Sequence, residues 1–209
     1  MGLLSLLFHD PVSFALLIVP LLYSIIAHEL AHGVVALWFG DDTAKRAGRL
    51  SLNPLVHLDP IGTLALFLVG FGWARPVPVN YYRLQGSRLA FSAVALAGVA
   101  TNILIATLAI FLLQTLPGAG KTELGSALSV VATINIILGS FNLIPIPPLD
   151  GSRVVMALLP DELSRGFARL EPYGFFIIVF LLFTGWMYPA IDFMERLIYG
   201  FISLMLGHV

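Results

Sequence analysis

The sequence predicts an all-α polytopic membrane protein with four to six transmembrane helices and a short extended or re-entrant segment between the first and second firm spans. Three observations carry that reading. Hydrophobic residues make up 58% of the 209 and charged residues only 11%, less than half the ~25% of an ordinary soluble domain. Mean hydropathy is +0.94. The apolar residues also gather in runs, and about 20 such residues suffice for a helix to cross hydrocarbon.

The elements follow in chain order. Residues 12–39 form a first span, interrupted by His28, Glu29 and His32. Arg49, Ser51 and Asn53 alternate with Leu50 and Leu52, which predicts a strand over 49–53. Residues 61–71 are apolar but short, as in a re-entrant or partly inserted segment. Residues 75–80 read as extended, and Pro76 and Pro78 confine them to an edge. Second and third spans cover 89–116 and 124–144, the latter ending where Pro145, Pro147 and Pro148 forbid helix. A fourth covers 173–188 and is cut by Pro189. Residues 193–206 are short for a span, so they cross with the residues before them or lie at the interface. The whole reads as one membrane-embedded domain over 1–209, with its core in 12–160 and C-terminal helices in 173–209. The start lacks a basic n-region, so the first helix is expected to stay and act as the membrane signal.

Charge sets orientation and excludes some functions. Lys45, Arg46, Arg49, Arg75, Arg83 and Arg88 lie between the first and second spans, and Arg153, Arg165 and Arg169 follow the third. Only Lys121 lies between the second and third. The positive-inside rule places the first two groups in the cytoplasm of a multi-pass protein of the cell membrane. A net charge of −1 offers no field for nucleic acid. With no cysteine, a metal must use His, Asp, Glu or backbone oxygen.

The chemistry concentrates in His28-Glu29-Leu30-Ala31-His32. Positions i and i+4 share one helix face, so both imidazoles reach one metal ion and the intervening carboxylate can hold a water. This is the H-E-x-x-H arrangement of zinc hydrolases. Composition alone would produce roughly 0.003 such matches in a chain of this kind. The bland alternative is three polar residues satisfied inside a bundle. It is disfavoured because ionisable groups at membrane depth are costly.

Catalytic zinc takes three protein ligands. Asp150 is the strongest third candidate, since it follows the proline-rich turn and precedes Gly151. Its plain alternative is an N-cap for a short helix over 151–159. His57 is the other candidate ligand, read instead as structural or gating. His9 and His208 lie near the ends and are expected to face solvent.

His28-Glu29-x-x-His32, followed by Asn142-x-x-Pro145-x-x-x-Leu149-Asp150-Gly151, resembles the site-2 protease family of intramembrane zinc metalloproteases. Between them, Gly98-Val99-Ala100-Thr101-Asn102 resembles that family's Gly-Pro-x-x-Asn motif, with Val99 where proline is usual. The chain is similar to the small prokaryotic branch without a PDZ or CBS domain. The resemblance implies one Zn2+ held by His28, His32 and Asp150, with Glu29 as general base. It places Asn102 near the catalytic centre, donating to the oxyanion, with an interhelical hydrogen bond as the alternative. Asn142 is expected near substrate or shaping the turn that delivers Asp150.

The implied activity is hydrolysis of peptide bonds within or near transmembrane helices, as in regulated intramembrane proteolysis. The partners are then a transmembrane-helix protein substrate and the lipid bilayer, with no nucleic acid. A substrate helix must unwind to expose its carbonyls. The segment 75–80 could hold the unwound strand by β-addition through the Val77 and Val79 N–H groups, or could be a plain connector. The rival functions are a metal transporter and a catalytically silent protein that binds membrane helices.

Overall fold

The computed structural model describes residues 3–69, 72–85 and 87–207. His208 and the end of the 61–71 segment, Phe71, lie outside the described residues. The chain begins with α1 (Leu3–His9) and α2 (Pro11–Trp38), then the short α3 (Thr43–Arg46) and α4 (Pro60–Val69). Next come α5 (Ser87–Thr115), α6 (Glu123–Leu143) and α7 (Asp150–Leu158). The chain closes with α8 (Asp161–Ala168), α9 (Glu171–Thr184) and α10 (Tyr188–Met205).

Helices α2, α5 and α6 are long and apolar enough to cross a membrane. The 28 residues of α2 extend about 42 Å at ~1.5 Å per residue, against a hydrocarbon layer of ~30 Å. Asp10 starts α2 by accepting the Ser13 N–H at 3.0 Å, with Pro11 in the first turn, where a missing N–H costs nothing. Thr122 starts α6 in the same way, accepting the Gly125 N–H at 3.1 Å. The three helices pack on one another. Small residues on α5 (Ala90, Ala95, Ala106) are fully buried, and small side chains let neighbouring backbones approach closely. Leu104, Leu108 and Phe111 on the same helix are exposed, as suits a lipid-facing side.

The all-α polytopic fold is as expected, with the span count at the low end of the expected range. Among the described residues three helices qualify, or four if α8 and α9, bent by 62°, form one broken span. The expected span over 173–188 ends early, because Gly185 closes α9 in a left-handed conformation (φ 81°). Pro189 then falls in the first turn of α10 rather than cutting a helix. Helix α10 lays Ile198 and Ile202 against Ala106 and Ile136. Helix α4, at 10 residues, is too short to span.

The strand expected over 49–53 is a correction. No strand occurs among the described residues, only one isolated antiparallel bridge between Leu58 and Ala74. Over 49–53 the side chains take the backbone donors that a ladder would use. Ser51 Oγ accepts the Asn53 N–H and Asn53 Oδ1 accepts the Leu55 N–H, both at 3.1 Å. Such local bonds compete with sheet pairing. His9 is exposed, as expected.

Candidate metal centre

The H-E-x-x-H residues lie on one continuous helix, α2, and His28 and His32 are both buried. Their Nε2 atoms sit 3.1 Å apart, with the rings edge to face at 78°. Asp150 arrives from a distant element. Helix α6 stops at Leu143, and the turn through Pro145, Pro147 and Pro148 leads into α7, whose first residue is Asp150. That turn rests on a small core of Ile144, Leu149, Ile178 and Met187. Gly174 of α9 approaches so closely that a Cβ there would lie 2.1 Å from the Pro147 carbonyl oxygen.

Asp150 Oδ2 lies 3.0 Å from His28 Nε2 and 3.1 Å from His32 Nε2. The cap of α7 is Leu149, with no side-chain capping bond, so the Asp150 carboxylate serves the histidines and not the helix end.

The outer ring nitrogens are committed elsewhere. His28 Nδ1 donates to Asn102 Oδ1 at 2.6 Å, and His32 Nδ1 donates to the Val94 carbonyl at 2.7 Å. The ring hydrogens of the neutral imidazoles are thereby used, and the bare Nε2 lone pairs face each other and a carboxylate oxygen. Three converging lone pairs repel unless a cation lies among them. A tetrahedron with ~2.0 Å zinc–nitrogen bonds has edges of about 3.3 Å, close to the spacings found. The donor set therefore fits zinc, with outer partners that orient both imidazoles.

Gly98 of α5 completes the centre. A Cβ there would lie 2.4 Å from His28 Cε1 and 2.5 Å from both Nε2 atoms. Only a glycine lets the α5 backbone come this near the donors.

Asn102 is fully buried. Its Oδ1 is given to His28, and its Nδ2 donates to Asn135 Oδ1 at 2.8 Å, which is the interhelical contact posed as the alternative to an oxyanion role. Asn142 bonds the Leu138 carbonyl of its own helix at 3.0 Å. His57 is not in the cluster of three donors found among the described residues. It is buried in the 49–60 loop, where Nε2 donates to the Ser51 carbonyl at 2.7 Å.

Glu29 meets the other side of the site. Its Oε2 accepts the Val77 N–H at 2.8 Å. The segment 72–85 thus forms a strap across α2. Arg49 Nη2 bonds the Arg75 and Pro76 carbonyls at 2.5 and 3.2 Å. The Arg75 N–H reaches the His57 carbonyl at 2.7 Å. Buried Asp41 accepts the Asn80 N–H at 2.6 Å. Val77 is buried and Val79 half-buried. Sequence reasoning did not single out Asn135, Ser24 or the Val94 carbonyl. An amide within an apolar span was the available signal for the first.

Comparison with known proteins gives the family. The pattern described as Peptidase family M50 matches residues 114–185, which hold the Asp150 turn. YwhC of Bacillus subtilis, which carries the name of a zinc metalloprotease, is 42% identical over 175 residues, 80% of each chain. Rip2 of Mycolicibacterium smegmatis, similarly named, is 32% identical over 196 residues, 91% of this chain and 74% of its own. Rip2 of Mycobacterium tuberculosis is 28% identical over 188 residues, 85% of this chain and 72% of its own. No solved structure matches.

Proposed function

Because this chain belongs to peptidase family M50 and is a multi-pass zinc metallopeptidase, we propose that it hydrolyses peptide bonds within or near transmembrane helices of other membrane proteins. The observation that carries this reading is the donor set of buried His28 and His32 with half-buried Asp150, on elements of a membrane-spanning bundle. A site at that depth is built for a substrate that arrives through the bilayer. The charge pattern supports a site toward the cytoplasmic side, where water is near.

Zinc, when bound, supplies a Lewis acid that acidifies water and polarises a carbonyl. Glu29 takes the proton of the attacking water and passes it to the leaving amine nitrogen. To do so, its carboxylate shares or releases the Val77 N–H that it now accepts. Asn102 works through His28, whose ring it holds. The strap is the natural place for an unwound substrate strand to pair, with Val77 exchanging its bond to Glu29 for one to substrate and Val79 beside it.

The test is cleavage of a model transmembrane helix in detergent, with metal content measured on each protein. Glu29→Gln is expected to keep zinc and lose cleavage, and Asp150→Ala to lose both. Val77→Pro with Val79→Pro is expected to cut at least tenfold more slowly with zinc retained. Wild type that holds zinc but cuts no helix, and instead carries zinc into liposomes, would overturn the reading in favour of transport.

A further inference from the structure

A chain of buried amides runs behind the metal centre and returns to the helix it starts from. His28 on α2 donates to Asn102 on α5, and Asn102 Nδ2 donates to Asn135 Oδ1 on α6. Asn135 Nδ2 donates at 2.8 Å both to the Val131 carbonyl and to Ser24 Oγ, back on α2 one turn before His28. Asn102 and Asn135 are both 0% exposed.

The chain has a direction, and one atom sets it. A backbone carbonyl only accepts. The Val131 carbonyl therefore obliges Asn135 to present Nδ2, since the reverse orientation would set two carbonyl oxygens against each other. Asn135 Oδ1 then faces Asn102 and obliges it to present Nδ2 there. Asn102 Oδ1 is left for His28, which must donate, so the His28 hydrogen sits on Nδ1 and Nε2 is bare. His32 reaches the same state in one step through the Val94 carbonyl. His28 needs two amides to reach a backbone carbonyl.

We infer that Asn135 is a positioning residue for the metal centre: acting through Asn102, it selects the His28 tautomer whose Nε2 is free for a cation. This rests on the metallopeptidase reading for its consequence, while the tautomer itself belongs to the zinc-free protein. Without the Asn135 acceptor, Asn102 is free to turn its amide. His28 Nδ1 then accepts instead of donating, and the hydrogen moves to Nε2, where it blocks ligation.

The experiment reads the 15N shifts of both imidazoles in zinc-free protein in alkaline buffer, and then zinc affinity. Wild type is expected to show His28 and His32 both protonated at Nδ1. Asn135→Leu, similar in volume but without the acceptor, is expected to mix the His28 tautomers and leave His32 unchanged. Its zinc affinity should fall roughly 10- to 100-fold, as when an outer partner of a ligand is lost. His28 protonated at Nε2 in wild type overturns the inference whether or not any variant folds. So does an unchanged His28 in folded Asn135→Leu, or a shift of both histidines together. Wild type with the expected tautomers but no zinc uptake would instead sink the metallopeptidase reading and leave this inference standing.

Discussion

The two sides of the site are built by different physics. On one, α2, α5 and α6 close around the donors through fixed backbone and buried amides, and every outer contact of the histidines ends on a rigid helix. On the other, the strap touches the site through one backbone N–H on Glu29 and is otherwise tied down by loop contacts from Arg49, His57 and Asp41. The first side holds a geometry that must not change during turnover. The second holds a group that must let go. The proposed hydrolysis needs both, because the spacing of the donors has to stay fixed while Glu29, as the proposed base, exchanges partners.

The sharpest way to break this comparison is to add one methyl group to the rigid side. In Gly98→Ala the new Cβ would lie within 2.5 Å of both ligand nitrogens. Those rings are pinned by Asn102 and Val94 and cannot step back. Zinc content after purification is expected to fall to background, with cleavage lost and the fold retained. Retained zinc would mean that the bundle yields, and the distinction between the two sides would lapse.

A smaller effect is expected from unpinning the strap. Asp41 is fully buried and accepts the Thr43 N–H, the Thr43 hydroxyl and the Asn80 N–H. Asp41→Ala strands those donors, at a cost of about 1–3 kcal/mol for each left unsatisfied. The thermal midpoint should fall by several degrees, while zinc affinity stays within about twofold of wild type. A large loss of zinc would show the strap to be part of the metal centre.

The same division decides what could be read from the sequence. The proposed ligand pair was legible because His28, Glu29 and His32 break an apolar run at helical spacing, and Asp150 because prolines leave it at a helix boundary. Asn135 was not, since its partners Asn102 and Ser24 lie 33 and 111 positions away and a lone amide in a span names none of them. The Val94 carbonyl carries no side-chain signal at all. Gly98 was visible as part of a motif, but its closeness to the ligands appears only when α5 is laid against α2. The strand expected over 49–53 does not form because alternation of polar and apolar residues does not reveal that Ser51 and Asn53 will bond their own loop. The fourth span was overextended because a proline was taken as a break when it starts the next helix.

The smallest expected effect is the counterpart of the first. Gly33 follows His32 directly and lies under the strap, where a Cβ would meet Leu50 Cδ2 at 2.6 Å and Val77 Cγ1 at 2.9 Å. Both are the outer ends of side chains on loop segments, so Leu50 can rotate and Val77 can ride outward. Helix α2 itself gains up to about 1 kcal/mol when glycine becomes alanine, which offsets the repacking. Gly33→Ala should therefore keep wild-type zinc and nearly wild-type stability. The change should appear as severalfold faster proteolytic nicking within the 45–80 segment, because the Val77 bond to Glu29 is lengthened. Zinc loss here as complete as in Gly98→Ala would show that both sides of the site are equally rigid, and Glu29 would then have to exchange partners without any movement of the strap.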